Sequence, residues 1–357
     1  MNDEKSNSIS IEWPILALIA SMVCAIVSLV IAVFALSKPS VRQAPVEPYT
    51  PSETMTGEQS EGAQTDAPAQ AGAAMEPDFY SFIWMTDTQY YMSDYPHICY
   101  EMTRWVANSA SMLNIKYVFL TGDIVYDRTV EQWDRASYAM KTLDESVPWF
   151  CIAGNHDVGT TTPDYEEYIQ RFGEEHFENL GTDSLYYKNG VGRCDFFSAG
   201  DREYMFIGLG FGAADDEGLN WLKSMLDEYP DRCAILLFHN YIDTDGTLLP
   251  VGEIIKSEIV AKYSNVKLVL CGHRYASRAI IDEFDDDGDG IAERDVYQIM
   301  GNYQAIGNGG QGYLRILKVF ADRIDMEAYS PYLEDYNWTN EWQEPQPESF
   351  SIDTTGW

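Results

Sequence analysis

Val147-Pro148-Trp149-Phe150-Cys151-Ile152-Ala153-Gly154-Asn155-His156-Asp157 runs from an apolar segment straight into a cluster of polar side chains. Its apolar half predicts a short buried strand. Gly154 lets the backbone turn sharply where the strand stops. The next three side chains then gather at the carboxyl end of a sheet, the edge where ligands bind in open α/β folds. An amide oxygen, an imidazole and a carboxylate together can hold a metal ion and move a proton. Four residues alone carry little weight. They gain it from four other strand ends of the same chemical kind.

Upstream, Tyr80–Met85 predicts a strand ending at Thr86-Asp87-Thr88-Gln89, and a helical spacing of apolar residues follows from Pro96 to about Leu113. Ile115–Leu120 predicts a second buried strand, ending at Thr121-Gly122-Asp123, and Glu131–Leu143 a helix. Downstream, Thr162-Pro163-Asp164 has the pattern of an N-cap with proline at the first helical position, opening a helix to Phe172. Strands then follow over Leu185–Lys188, Arg193–Ser198 and Tyr204–Leu209. A helix over Gly218–Tyr229 leads to the strand Arg232–Phe238, which ends at His239. A helix over Val251–Tyr263 leads to the strand Val266–Leu270, which ends at Cys271-Gly272-His273. Two strands around an acidic turn, then Gly312–Phe320 and Arg323–Tyr329, complete an α/β chain with a β-rich middle. No internal repeat is evident. The acidic, aromatic stretch from Pro331 to Trp357 either packs along the domain or hangs loose.

The 357 residues are 45% hydrophobic, enough for a full core, and carry a net charge of -34. Such a surface repels nucleic acid, so no nucleic-acid partner is expected. A phosphate-bearing ligand needs a local positive charge, which bound divalent cations supply. The six cysteines form no CxxC pair, which excludes a zinc ribbon. Cys151, Cys233 and Cys271 lie in or beside apolar runs and read as small buried hydrophobes.

Residues 1–13 form a short polar tail. Pro14 to Leu36 then carries no charge, and 23 such residues span about 35 Å as a helix against a hydrocarbon core of about 30 Å. A cleaved signal peptide is the rival reading, but the apolar stretch is long and no basic cluster precedes it. The expectation is an uncleaved transmembrane anchor at 14–36. Lys38 and Arg42 against Lys5 lean towards a cytoplasmic C-terminal side. Large domains cross membranes regardless of that count, and residues 37–77, rich in Pro, Ala, Gln and Ser, read as a disordered stalk. The catalytic domain, 78–331, is therefore expected outside the cytoplasm, with 332–357 as a C-terminal tail.

Five strand ends carry candidate ligands: Asp87 with Gln89, Asp123, Asn155 with His156, His239, and His273. Any one of them taken singly is more often a turn or cap residue. Together they form an oxygen and imidazole set without thiolate, which favours Mn, Fe, Zn or Mg at a working site over a structural zinc.

In this order and spacing the sequence resembles the calcineurin-like metallophosphoesterase superfamily. Its pattern of D-x-H, GDxxD, GNHD, an isolated His and GHxH stands here as Asp87-Thr88-Gln89, Gly122-Asp123, Gly154-Asn155-His156-Asp157, His239 and Gly272-His273. It most resembles the bacterial branch with TDTQ as first motif and, near the end, patterns such as Asn302-Tyr303-Gln304 and Gly312-Tyr313-Leu314-Arg315. The resemblance, from about Phe79 to Pro331, implies a four-layer αββα sandwich of two facing mixed sheets flanked by helices. It implies two divalent metal ions bridged by Asp123. Asp87 and Gln89 would hold the first, and Asn155, His239 and His273 the second. It implies hydrolysis of a phosphomonoester or phosphodiester by in-line attack of a metal-bridging hydroxide. His156 would be the general acid, with Asp157 as its orienting partner. The substrate would be a phosphorylated small molecule or a surface phosphoester.

Two positions depart from that pattern. Gln89 replaces the usual histidine, and Tyr275 stands where the last histidine would bind the first metal, so a weak first-metal site is expected. These departures also motivate a rival of another class, a non-catalytic surface ligand-binding protein on a degenerate scaffold. Tyr126 fits the GDxxY form of purple acid phosphatases, where the tyrosine is a metal ligand, or is a plain strand-end aromatic. Asp285, Asp287 and Asp289 resemble the start of a calcium loop, but position twelve is Val296, so the alternatives are a calcium site and a solvated acidic turn.

Overall fold

Successive residues of a strand point to opposite faces of its sheet, and the first strand, β1 (Tyr80–Met85), splits its side chains accordingly. Phe82 and Trp84 join one buried cluster, Ile83 and Met85 another. The same division runs through β2 (Ile115–Leu120), where Tyr117 and Phe119 separate from Val118 and Leu120. The computed structural model describes residues 77–336 and 349–357.

The first sheet holds six strands in the order β13-β12-β11-β1-β2-β3, with β3 at Trp149–Cys151, β11 at Leu314–Val319, β12 at Arg323–Tyr329 and β13 at Phe350–Asp353. The second holds seven in the order β4-β5-β6-β7-β8-β10-β9. Its strands are β4 (Ser184–Tyr187), β5 (Gly192–Ala199), β6 (Arg202–Leu209), β7 (Cys233–Phe238), β8 (Val266–Cys271), β9 (Ser277–Phe284) and β10 (Arg294–Gly301). Both sheets are mixed. β1, β2 and β3 run parallel with β11 antiparallel to β1, and β6, β7, β8 and β10 run parallel with β5 and β9 antiparallel at their flanks.

Inner faces of the two sheets share one cluster. Phe82 and Phe119 meet Phe206 of β6 edge-on, at 5.5 and 4.9 Å between ring centroids, and the Tyr80 and Tyr204 hydroxyls bond at 2.6 Å. The other face of the first sheet is covered by α2 (Pro96–Ser109) and α3 (Val130–Asp144), through Met102, Val106, Trp133 and Met140. A short α1 (Gln89–Asp94) precedes α2. On the second sheet, α7 (Asp216–Glu228) sets Leu222 and Leu226 against Ile207 and Leu236. Side-chain caps start α3 and α7: Thr129 accepts the Gln132 N–H and Asp215 the Gly218 N–H.

Three local expectations change. The helix to Phe172 starts at Glu166, not Pro163, because the Asp164 N–H goes back to the Val158 carbonyl at 2.8 Å while its side chain accepts the Glu166 N–H. Between it and β3 lies α4 (Asn155–Val158), and after it come α5 (that helix, Glu166–Phe172) and α6 (Glu174–Asn179). The helix after Pro250 is α8 (Pro250–Ile255), which then widens over Lys256–Val260, where the Ala261 N–H reaches back to the Lys256 carbonyl. Finally, β13 joins the first sheet's edge as an antiparallel partner of β12, so part of the C-terminal stretch packs.

Among the described residues no helix is long and apolar enough to cross a membrane. The polar tail 1–13, the expected anchor at 14–36, nearly all of the expected stalk 37–77, and Trp338 and Trp342 lie outside the described residues. Cys99, Cys151, Cys194, Cys233 and Cys271 are buried and unpaired.

Candidate metal centre

Parallel neighbours end together, and that fact builds the site. The loops after β1, β2 and β3 of one sheet and after β7 and β8 of the other carry every candidate ligand. Asp87, Asp123 and His273 each adopt a left-handed backbone, with φ of 50, 50 and 72°. Non-glycine residues rarely do so, and such strain concentrates at functional sites. The loops lock into one another. The Asp87 N–H donates to Gly122, the Gly272 N–H to His239 and the His273 N–H to Asp87 Oδ1 at 3.0 Å. A Cβ on Gly154 would fall on the Asp123 amide and carboxylate, and one on Gly272 on the Asp87 carboxylate. Only glycine permits that approach.

At the centre lies His239, fully buried. Its Nδ1 meets the Thr121 carbonyl at 2.8 Å, which assigns the proton there and turns Nε2 towards the site. Around Nε2 stand Asn155 Oδ1 at 3.1 Å, Asp123 Oδ1 at 3.2 Å and His273 Nδ1 at 3.2 Å. Three acceptors thus converge on one nitrogen. Burial alone would lower the pKa of His239, but Asp123, then Asp87, hold it up at about 9. Burial and the His239 charge push His273 down to about 4. Burial raises Asp123 on its own, yet His239 and the His156 N–H bring it below the usual carboxylate range. Asp87 is pushed up to about 8 by burial and by Asp123, against the pull of His239.

Gln89 donates its amide N–H to Asp123 Oδ2 at 3.0 Å, and its Oε1 is buried without a partner. His156 donates its backbone N–H to Asp123 Oδ1, and its Nδ1 meets the Tyr126 carbonyl at 2.8 Å. Its ring stacks on Tyr126 at 4.9 Å, and Tyr126 stacks in turn on Tyr90 at 5.3 Å. Asp157 does not take the expected place as orienting partner of His156. It accepts the N–H groups of Ile124, Val125 and Gly154 at 2.8, 2.9 and 2.7 Å, so it ties the β3 turn to the loop after β2. The reason is local: the two side chains are neighbours in the first turn of α4 and leave it in different directions. Burial and Asp123 push the Asp157 carboxyl up, against the hold of those three N–H groups.

A cavity of about 230 Å³ opens over this centre, lined by Gln89, Asp123, Asn155, His156, Thr244, His273, Arg274, Tyr275 and Gln304. Sequence reading missed Thr244, Arg274 and Gln304. Arg274 lies beside a motif histidine and Gln304 within a motif noted for its family likeness, but Thr244 sits in a loop with no signal. Tyr275 is 45% exposed, with its hydroxyl 3.5 Å from that of Tyr90. A larger cavity, about 390 Å³, lies at the amino ends of β2 and β3 against Tyr117 and Trp149 and holds none of these residues. Asp285, Asp287 and Asp289 do cluster, with Glu293, on an exposed turn, where Asp285 accepts the Gly288 and Gly290 N–H groups.

Residues 80–276 match the calcineurin-like phosphoesterase family, and that span contains every candidate ligand of the centre. The chain belongs to this family. A similar protein is the uncharacterized protein YvnB of Bacillus subtilis, 42% identical over 73% of this chain and 20% of its own length. A probable glycerophosphodiester phosphodiesterase (GpdQ) of Arcobacter nitrofigilis is 27% identical over 44% of this chain and 55% of its own. The 3',5'-cyclic adenosine monophosphate phosphodiesterase CpdA of Haemophilus influenzae is 26% identical over 44% and 53%. The chain thus spans from a fifth to just over half of the length of these relatives.

Phosphoesterases of this family are expected to hold metal ions, and the residues here fit one. Asp123, His239 and His273 bring their ligand atoms within 4.8 Å of one another, with Asn155 Oδ1 beside them. The orphaned Gln89 Oε1 is an acceptor that a neighbouring cation would engage. Position one is more thinly supplied, since the Asp87 carboxylate also accepts the His273 N–H and the Thr86 hydroxyl.

Proposed function

We propose that this chain is a metal-dependent hydrolase of phosphomonoesters or phosphodiesters, acting on phosphorylated small molecules or surface phosphoesters. The observation that carries the reading is the convergence of Asp123, Asn155 and His273 on His239 Nε2 beneath an open cavity. Phosphodiesterases among the relatives support the reaction class. Divalent cations bound there would supply positive charge against the phosphoryl oxygens and acidify a water molecule.

The chain's own residues do the rest. Asp123 carries the shared charge, steered by the Gln89 amide and the His156 N–H. Thr121 and its neighbours fix the His239 tautomer, a second layer of contacts that orients ligands. With Nδ1 donating to the Tyr126 carbonyl, His156 keeps Nε2 for proton exchange, and stacking on Tyr126 holds the ring at the cavity. In its protonated form that nitrogen donates to the departing alkoxide, a contribution of roughly 10²–10⁴-fold. Asp157 serves by fixing the turn that presents Asn155 and His156. The four-layer sandwich, the two-metal stoichiometry and a membrane anchor at 14–36 belong to the same proposal.

Activity of the manganese-loaded chain on an aryl phosphate monoester and diester tests it. Asp123→Ala is expected to abolish turnover, and His156→Ala to lower kcat by about 10²–10⁴-fold with little change in bound metal. Turnover unchanged in both variants would take the activity away from this centre, and ligand binding without any turnover in the parent chain would replace the enzyme by a binding protein on this scaffold.

A further inference from the structure

The cavity over the metal centre is walled by one cationic side chain, Arg274. Its backbone is set by the turn that places His273: the Arg274 N–H donates to Gly272 at 2.9 Å, and the left-handed His273 donates to Asp87. The guanidinium meets Asp243 through Nε at 3.5 Å, with side chains 44% and 38% exposed. An ion pair that loose and that solvated is held weakly. Among the described residues no hydrogen bond takes up its two Nη groups. That edge of the fork is the one that binds two oxygens of a phosphoryl group side by side.

Two further facts point the same way. The chain carries a net charge of -34, so an anion entering this cavity is repelled by the molecule at large. The first-metal position lacks both histidines of the family pattern, because Gln89 and Tyr275 stand there, and a thinly held cation leaves charge to be supplied from elsewhere. Gln304 adds an amide oxygen, buried and without a partner, on the same wall.

We propose that Arg274 binds the reacting phosphoryl group and selects phosphomonoester dianions over diesters. The inference rests on the phosphoesterase reading above. A monoester presents three non-bridging oxygens and two charges, a diester two oxygens and one charge. A guanidinium beside the metal ligands takes up the extra oxygen and the extra charge. Arg274 thereby makes up for the imidazoles missing at the first-metal position.

The test uses the full 357-residue chain loaded with manganese, as parent, Arg274→Gln and Arg274→Lys, with p-nitrophenyl phosphate, bis-p-nitrophenyl phosphate and inorganic phosphate. Arg274→Gln is expected to lower kcat/KM for the monoester by about 10- to 150-fold, the range for one charge-assisted hydrogen bond. The diester should lose less than about threefold, phosphate should bind more weakly in step with the monoester loss, and Arg274→Lys should recover part of both. Equal losses on the two esters, no loss on the monoester, or a parent chain that cleaves only the diester would overturn the assignment. If the parent turns over neither ester, the phosphoesterase reading fails by itself, and calorimetric phosphate binding then decides this one: weaker binding in Arg274→Gln upholds it, and unchanged or absent binding removes it.

Discussion

At the scale of single residues, His239 states what the centre is built to hold. Its Nε2 faces Asn155, Asp123 and His273, three acceptors where one hydrogen has room for one good bond. In the metal-free protein that hydrogen is held well: Asp123 keeps the His239 pKa at about 9, above the ordinary 6.5, so the imidazolium's stabilising share is complete below about pH 6.5 and lost as pH rises through 9. A cation competes for the same nitrogen and must expel that proton. His273, pushed down to about 4, is already neutral near pH 7 and releases nothing. Metal affinity measured by chelator competition should therefore rise with pH between roughly pH 6 and 9 and level off above, with His239 giving up one proton and Asp87, pushed up to about 8, a second where a cation engages it. A flat profile over that range would mean that His239 Nε2 is not a ligand.

The same scale shows what sequence could and could not disclose about the site. Asp87, Asp123, Asn155, His239 and His273 were legible because each follows a strand, and parallel strands bring their ends together whatever lies between. Asp157 was legible as polar and near, but not in its direction: being next to His156 in the chain says nothing about meeting it in space. Arg274 and Gln304 left only adjacency to motif residues as a trace. Thr244 left none, since its place depends on a loop folding over from β7.

At the scale of elements, β1, β2, β7 and β8 were plain because their apolar runs are buried and bounded by turn residues, and β12 because apolar and charged residues alternate along it, with Ile324 and Met326 buried and Arg323, Asp325 and Glu327 half-buried. β13 was not. Phe350-Ser351-Ile352-Asp353 alternates over only four residues, and its strand character comes from pairing with β12. Ile352 lies opposite Ile324, fully buried in the cluster shared by the two sheets, while Ser351 faces solvent. Ile352→Ala should cost about 2–5 kcal/mol, a fall in Tm of roughly 5–15 °C for a domain of this size. Ser351→Ala should shift it by less than about 2 °C. Thermal unfolding of the two variants checks this, and equal shifts would mean that β13 does not hold the edge of the sheet in solution.

At the scale of the whole molecule, two stretches precede the folded domain: the 23 uncharged residues from Pro14 to Leu36 and the polar stretch 37–77. The first is long enough to cross a bilayer, and the second is polar and rich in proline, alanine and glutamine. The five cysteines among the described residues are compatible with an oxidising compartment. All are buried, and burial pushes the thiols of Cys99, Cys151 and Cys233 up to about 12, which keeps them from the thiolate form that reacts. We therefore expect the phosphoesterase domain outside the cytoplasm, tethered at about 35 Å of root-mean-square reach by some forty stalk residues. Protease added to intact cells should cut within 37–77 and free the folded domain into the supernatant with its metal centre whole. A proteolytically resistant core should remain, because a chain with two sheets packed face to face opens rarely at its centre. Cleavage only after the cells are lysed would place the domain inside, and the positive residues Lys38 and Arg42 would then have set the orientation after all.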